Sequence, residues 1–191
     1  VMTDSSHNSN NFAKNGAGTF TNTEDCPSNV FATMNKLDSY WPTTGAVSVF
    51  TYGNNQVVSG TGSSSANGYS YNNATMAVSK GKFYWEVKAT SVAGSSFVGI
   101  ISESQIYNQN LGEILNSKAY AYSVQNSNGN LRNNNTTAAY AASFTTNDII
   151  SVALDLDNNK IYWAKNGDWS DGSGSWDSST FDAAVGDLAI T

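Results

Sequence analysis

Apolar and polar residues alternate with a period of two through most of the chain after residue 46. The clearest case is residues 81–89, where Phe83, Trp85 and Val87 are apolar and the residues between them include Glu86 and Lys88. Side chains on a β-strand point alternately to its two faces, so this spacing predicts a strand with one buried side.

Similar patterns predict further strands at residues 47–51, 57–58, 69–71, 97–101, 120–124, 148–155 and 161–164. The apolar run 97–101 is typical of a strand buried on both faces. The Asn-rich stretch 157–160 predicts a hairpin turn that contains residues with positive φ. Residues 105–115 could form one helical turn, and no other helix of normal length is indicated. Seven or more short strands at about ten-residue spacing predict an all-β sandwich or barrel.

Residues 1–45 lack this periodicity and contain both prolines, Pro27 and Pro42. Single aromatic residues recur among Asn, Ser and Thr. We therefore expect an irregular N-terminal strap or connector over residues 1–45 and a β-sandwich over residues 46–191. A disordered tail is the alternative for the first segment.

Charged residues make up only 13% of the chain, about half the usual share. Asn, Ser and Thr account for 69 of the 191 residues, so the predicted surface is polar but carries few charges. A net charge of −6 and a single arginine, Arg132, argue against nucleic-acid binding by charge. No stretch approaches about 18 consecutive apolar residues, so no membrane span is predicted.

Groups suited to catalysis are sparse. None of the four glutamates lies in the spacing that sugar-hydrolysing sandwich enzymes use for their paired carboxyl groups. His7 is the only histidine and Cys26 the only cysteine, and both fall in the unpatterned segment. A Ser-His-Asp triad, an internal disulfide and a cysteine-based zinc site are therefore not predicted. We expect no enzymatic activity and no cofactor.

Three segments, in order, carry a family resemblance. Residues 81–87 read Gly-Lys-Phe-Tyr-Trp-Glu-Val, residues 96–100 read Ser-Phe-Val-Gly-Ile, and residues 147–167 include Ser-Val-Ala-Leu-Asp and end Lys-Asn-Gly. With Tyr-Ala-Tyr at 120–122, they resemble SPRY domains over about residues 70–191. The resemblance implies a bent sandwich of two antiparallel sheets, of the concanavalin A-like jelly-roll type. It also implies a non-enzymatic domain that binds peptides or proteins through loops at one edge.

Two features depart from the family pattern. The PRY segment that precedes SPRY in many animal adaptor proteins is not visible, and neither is the last family strand, which normally ends near Asn-Phe-Gly, after Ile190. We therefore expect residues 46–191 to be a sandwich truncated at its C-terminal end.

The N-terminal segment resembles a narrower motif found in bacteriophage structural proteins. Residues 4–12 read Asp-Ser-Ser-His-Asn-Ser-Asn-Asn-Phe, and residues 25–35 read Asp-Cys-Pro-Ser-Asn-Val-Phe-Ala-Thr-Met-Asn. The departures from the motif are Cys26, Ser28, Val30 and Met34. This resemblance implies a tail fibre, tailspike or similar appendage and therefore a location on the virion. Its partners would be other virion proteins or a host-surface glycan or protein, and a homotrimer is one assembly that this setting allows.

Aromatic residues are the strongest binding signal. Tyr84 and Tyr162 are expected to point outward where their neighbours Trp85 and Trp163 point into the core. Aromatic rings near amide and carboxylate groups suit both a sugar ring and a protein contact. The candidate binding residues are Tyr84, Tyr162, Trp169, Trp176, Asn133 and Asn134. The alternative for Trp169 and Trp176, which flank a Gly/Ser loop, is that they cover one end of the sandwich.

A calcium site is a weaker candidate. Residues 155–159 begin like an EF-hand loop but lack the later glycine and glutamate. Asp168 and Asp171 beside the Gly/Ser loop are the weak candidates for a calcium site, and a solvated acidic loop is favoured over it. No metal site is therefore predicted.

The sequence predicts a non-enzymatic structural or binding module of a virion appendage that uses loops at the sandwich edge. The alternatives are a cellular SPRY adaptor that recognises a short peptide and a lectin-type glycan-binding domain.

Overall fold

The computed structural model describes residues 31–40, 47–59, 70–102, 121–133 and 136–177. Within these ranges the regular secondary structure consists of β-strands, all paired antiparallel, and includes no helix. The strands in chain order are β1 Met34–Tyr40, β2 Val49–Thr51, β3 Gln56–Val58, β4 Tyr71–Ala74, β5 Lys82–Lys88, β6 Phe97–Ile101, β7 Ala121–Gln125, β8 Leu131–Asn133, β9 Thr136–Ala138, β10 Ile149–Asp155, β11 Lys160–Lys165, β12 Asp168–Ser170 and β13 Trp176–Asp177.

The larger sheet contains five strands in the order β13-β12-β11-β10-β5. Within this sheet β10 lies between β5 and β11, so Val152 of β10 is flanked by Trp85 of β5 and Trp163 of β11. Exposed and half-buried residues alternate along β5 without a break, so the predicted alternation over residues 82–88 is confirmed. One face of the sheet is therefore apolar and turned toward the core.

A second sheet, in the order β6-β7-β8-β9, supplies the other side of the same core. Val124 of β7 and Trp163 of β11 are fully buried, and Trp163 Nε1 donates a hydrogen bond to the Val98 carbonyl of β6 (3.1 Å). The core residues are Tyr122, Val124, Tyr140, Ala141, Phe144, Ile150, Val152, Leu154, Ile161 and Trp163. Two antiparallel sheets that share one core form a β-sandwich, so the predicted fold class is confirmed.

Gly99 allows β6 and β7 to approach each other closely. A Cβ at this position would lie 1.9 Å from the Tyr122 carbonyl oxygen and 2.6 Å from Ser123 Cα, whereas ordinary contacts begin at 3.4 Å. Any side chain would push β7 away. The glycine of the Val-Gly-Ile step therefore has a steric role.

Tyr140 joins the connection after β9 to the five-stranded sheet. Its hydroxyl accepts a hydrogen bond from the Trp163 backbone N–H (3.1 Å), and its ring meets the Trp163 ring edge-on with centroids 5.5 Å apart. Ser170 Oγ donates to the Tyr140 carbonyl (2.5 Å). Burial raises the pKa of Tyr140 to about 12, because the phenolate would lose its hydration.

The turns follow the predicted residue chemistry. The β10–β11 turn contains Asn159 with φ 54°, and the turn after β11 contains Asn166 with φ 53°. Asparagine tolerates this left-handed conformation better than most residues. Asn166 Nδ2 also donates to Asp148 Oδ1 (2.8 Å), which ties this turn to the start of β10.

Two two-stranded sheets, β1-β4 and the hairpin β2-β3, complete the described structure, and β1 begins earlier than expected. Residues 34–40, within the segment predicted to be irregular, form β1 and pair with β4 across a bulge. Asn73 Nδ2 of β4 donates to Asp38 Oδ2 (3.0 Å), and Ser39 is opposite Asn72. The sequence did not predict this pairing, because β1 is largely polar and its partner β4 lies more than thirty residues later. The division of the chain at residue 45 remains a prediction.

Two other expectations concern strand burial and helix. Phe97–Ile101 is a strand as predicted, but its residues are only half-buried because β6 ends the order of the four-stranded sheet. The predicted helical turn at 105–115 lies outside the described residues. In the described part of the chain, no helix has the length and apolar character that crossing a membrane requires.

Candidate interaction surface

The face of the five-stranded sheet that points away from the core is called the outer face here. Strand register places Tyr84 of β5, Ala153 of β10 and Tyr162 of β11 in one row across it. The two tyrosines are two strand spacings apart, or about 10 Å between backbones. A small residue therefore separates two aromatic residues on this face.

The neighbouring row contains Glu86, Ser151, Ala164 and Trp169. Ser151 and Ala164 are buried in the middle of the row, whereas Glu86 at the β5 end is exposed. Small side chains thus occupy the middle of the outer face, and larger ones lie on either side of them.

Tyr84 and Glu86 form a hydrogen-bonded pair on β5. Tyr84 Oη donates to Glu86 Oε1 (2.5 Å), and Ser151 Oγ donates to the same oxygen (3.4 Å). The hydrogen bond to Glu86 raises the pKa of Tyr84, because ionisation would place two anions side by side. Tyr84 is nevertheless 59% exposed, so much of its ring surface is open to solvent on this face.

An ion pair closes the next row of the outer face. Lys82 Nζ lies 2.6 Å from Asp155 Oδ2, and Asn158 Nδ2 donates to the same oxygen (2.8 Å). The Lys82 hydrogen bond lowers the pKa of Asp155 to about 2. The charge of Lys82 is thus already matched within the domain.

The structure brings three of the predicted binding residues to one face. Tyr84, Tyr162 and Trp169 all lie on the outer face, with Tyr162 and Trp169 half-buried. The tryptophans that were expected in the core are on the other side: Trp163 is fully buried, and Trp85 packs against the core while partly exposed. The alternation therefore separated the aromatic residues as predicted.

Trp176 lies on the opposite face. It pairs with Ser170, which is buried, and packs against the core cluster. Its Nε1 donates to the Ser143 carbonyl (3.4 Å), and Lys165 Nζ lies 5.8 Å from its ring centroid. These contacts match the alternative in which a loop tryptophan covers the sandwich.

The predicted asparagine loop coincides with a hairpin. Asn133 is the last residue of β8 and pairs with Thr136, the first residue of β9. Asn134 lies outside the described residues. Asn133 is on the smaller sheet and does not join the aromatic residues of the outer face.

The two weak calcium candidates, Asp168 and Asp171, lie in local backbone contacts of the β11–β12 region. Asp171 accepts hydrogen bonds from Ser173 N (2.8 Å) and Ser175 N (3.0 Å), and bonding to Ser173 lowers its pKa. Asp168 is exposed and pairs with Lys165 along the β11–β12 ladder. Within the described ranges, no three His, Cys, Asp or Glu side chains are grouped so that they could hold a metal ion.

Sequence reasoning missed Glu86 and Ser151 as members of the surface. Glu86 shares the outward parity of Tyr84, so alternation alone could have identified it. Ser151 required the register between β5 and β10, which places it opposite Glu86. The hydrogen-bonded group of Tyr84, Glu86 and Ser151 is therefore a tertiary feature.

Two antiparallel sheets around one core define the class of this domain as an all-β sandwich. The SPRY domain family matches residues 82–184, just over half of the chain. The chain therefore belongs to the SPRY domain family, whose members are generally binding modules rather than enzymes. No curated protein matches the chain.

Proposed function

We propose that this SPRY domain is a non-enzymatic module that binds a partner protein through its outer face, with Tyr84 at the centre of the contact. The observation that carries the proposal is the exposure of the Tyr84 ring beside the exposed carboxylate of Glu86. Tyrosine is enriched among the few residues that dominate protein interfaces, because it combines a large apolar ring with a polar tip.

The rigid support under Tyr84 favours binding by a preformed surface. Its neighbour Ala153 belongs to β10, which is paired on both sides by β5 and β11. Tyr84 is on β5, which ends the order of the five-stranded sheet but is paired with β10 along its whole length, so its backbone loses little freedom when the ring is covered. This places the proposed contact on the sheet, in addition to the edge loops that the family resemblance implies.

We further propose a setting on a bacteriophage virion appendage such as a tail fibre. The support is the resemblance of residues 4–12 and 25–35 to phage structural proteins, together with the low charge of the chain. Family membership supports a cellular SPRY adaptor equally well. A glycan partner is the second candidate, because aromatic rings also line sugar sites.

Sequencing the DNA on both sides of the gene tests the setting. Neighbouring genes for virion structural proteins are expected, and a run of cellular genes would contradict the virion role.

The contact itself can be tested by surface plasmon resonance between this chain and each structural protein encoded nearby. One pairing is expected to bind, and Tyr84→Ala should weaken it about thirtyfold or more, as for a hot-spot residue. Tyr52→Ala is the matched control, because Tyr52 is 80% exposed on the β2–β3 turn, which belongs to a different sheet. Equal effects of the two substitutions, or binding to a glycan array with no protein partner, would contradict the proposal.

A further inference from the structure

Glu86 has a carboxylate that is held in place but not neutralised. Both of its hydrogen-bond donors, Tyr84 Oη and Ser151 Oγ, approach the single oxygen Oε1. In the described part of the chain, no cationic group lies within ion-pair distance of Glu86; the nearby Lys82 is paired with Asp155 instead. Glu86 is an exposed residue, and neither of these two donors uses its second oxygen, Oε2, so we take this oxygen as the acceptor for a donor from outside.

The position of this carboxylate beside an aromatic ring restricts the chemistry of that donor. The hydroxyl of Tyr84 reaches Glu86, so its ring leans along β5 toward the carboxylate. A planar guanidinium can stack on an aromatic ring and also hydrogen-bond a neighbouring carboxylate. A lysine ammonium is a more strongly hydrated point charge without the planar fork that does both.

We infer that the outer face recognises an arginine side chain of the partner, which stacks on Tyr84 and pairs with Glu86. The inference rests on the proposed function and names the partner's chemistry at the same surface. The net charge of −6 favours the approach of a cationic segment. Lys88 lies two residues further along the same face and opposes the incoming cation.

Titration of the ¹⁵N-labelled chain with the tripeptide Gly-Arg-Gly, followed by NMR, tests this inference. Saturable shifts are expected at the backbone amides of Tyr84, Glu86 and Ser151. Gly-Lys-Gly and the uncharged analogue Gly-citrulline-Gly should bind at least about fivefold more weakly, since each lacks either the planar fork or the charge. Equal shifts with all three peptides, or no saturable shift on the outer face, would overturn the inference.

Three variants separate the groups involved. Glu86→Gln keeps the shape and removes the charge, so it should abolish the preference for arginine over citrulline. Tyr84→Phe keeps the ring and should retain binding, whereas Lys88→Ala should strengthen it. Retained arginine preference in Glu86→Gln would contradict the role of the carboxylate.

The same variants distinguish this inference from the proposed function. If Tyr84→Ala weakens the binding of a protein partner and Glu86→Gln leaves it unchanged, the proposed interaction surface is supported and arginine recognition is contradicted. If Tyr84→Ala leaves the binding of a partner unchanged, the proposed interaction surface itself is contradicted.

Discussion

Substitution of Gly99 by alanine should destabilise the domain more than its single added methyl group suggests. The new Cβ would lie 1.9 Å from the Tyr122 carbonyl oxygen, about 1.5 Å inside ordinary contact distance. The obstructing atoms belong to the backbone of β7, which cannot rotate away as a side chain can. The strands must therefore separate, and the ladder bonds on either side of Gly99 must lengthen.

The magnitude follows from these losses. Overpacking of a filled site costs about 1–3 kcal/mol, and each weakened ladder hydrogen bond adds about 1 kcal/mol. We expect a loss of about 3 kcal/mol in the free energy of unfolding. With a denaturant slope of about 2 kcal/mol per molar urea, the midpoint should fall by about 1.5 M.

Urea unfolding followed by tryptophan fluorescence measures this change, because Trp163 is fully buried in the core. Gly53→Ala is the matched control: a Cβ there meets nothing within 4 Å, although φ is +63°. Its cost should be only the backbone preference of about 1 kcal/mol. A midpoint shift for Gly99→Ala that is no larger than that of Gly53→Ala would refute the steric argument.

Three further substitutions test the core and the surface charges. Trp163→Phe removes the donor to the Val98 carbonyl and should lower the unfolding free energy by about 1–3 kcal/mol; an unchanged thermal midpoint would contradict this. Tyr140→Phe removes the acceptor of the Trp163 N–H and should cost about 1–2 kcal/mol at neutral pH. The pKa of Tyr140 is about 12 in the folded state and about 10 in the unfolded state. The stability that its neutral form contributes is therefore complete below pH 10 and is lost as the pH rises to 12. The urea midpoint of Tyr140→Phe should accordingly decline less steeply at alkaline pH. The hydrogen bond from Lys82 lowers the pKa of Asp155 to about 2, below the ordinary aspartate value of 3.8, so its contribution is present above pH 4 and is lost as the pH falls toward 2. Asp155→Asn should reduce this acid dependence, and an unchanged profile would count against the Lys82 pair.

Much of the sandwich could be predicted because strand alternation is a local property. The pattern over residues 82–88 predicted which residues of β5 face the core, and Asn159 predicted the turn between β10 and β11. The short polar strands were not predictable in the same way. β8, β9 and β12 have only three residues each, too few for alternation to stand out.

The candidate site, too, could be predicted from the sequence only in part. The sequence predicted that Tyr84 and Tyr162 point outward, but both could have been isolated on separate surfaces. Trp169 and Trp176 could not be told apart from the sequence, since both flank the same Gly/Ser loop. The structure places them on opposite faces because Trp169 pairs with Ala164, whereas Trp176 is opposite Ser170.

By itself, the sequence determined the all-β class, the principal strands and which residues of each strand share a face. These properties depend on backbone geometry repeated every two residues. Only the tertiary structure decided that Glu86 and Ser151 meet beside Tyr84 and that Ala153 separates the two tyrosines. Such juxtapositions depend on the register between strands more than sixty residues apart, and no local pattern specifies that register.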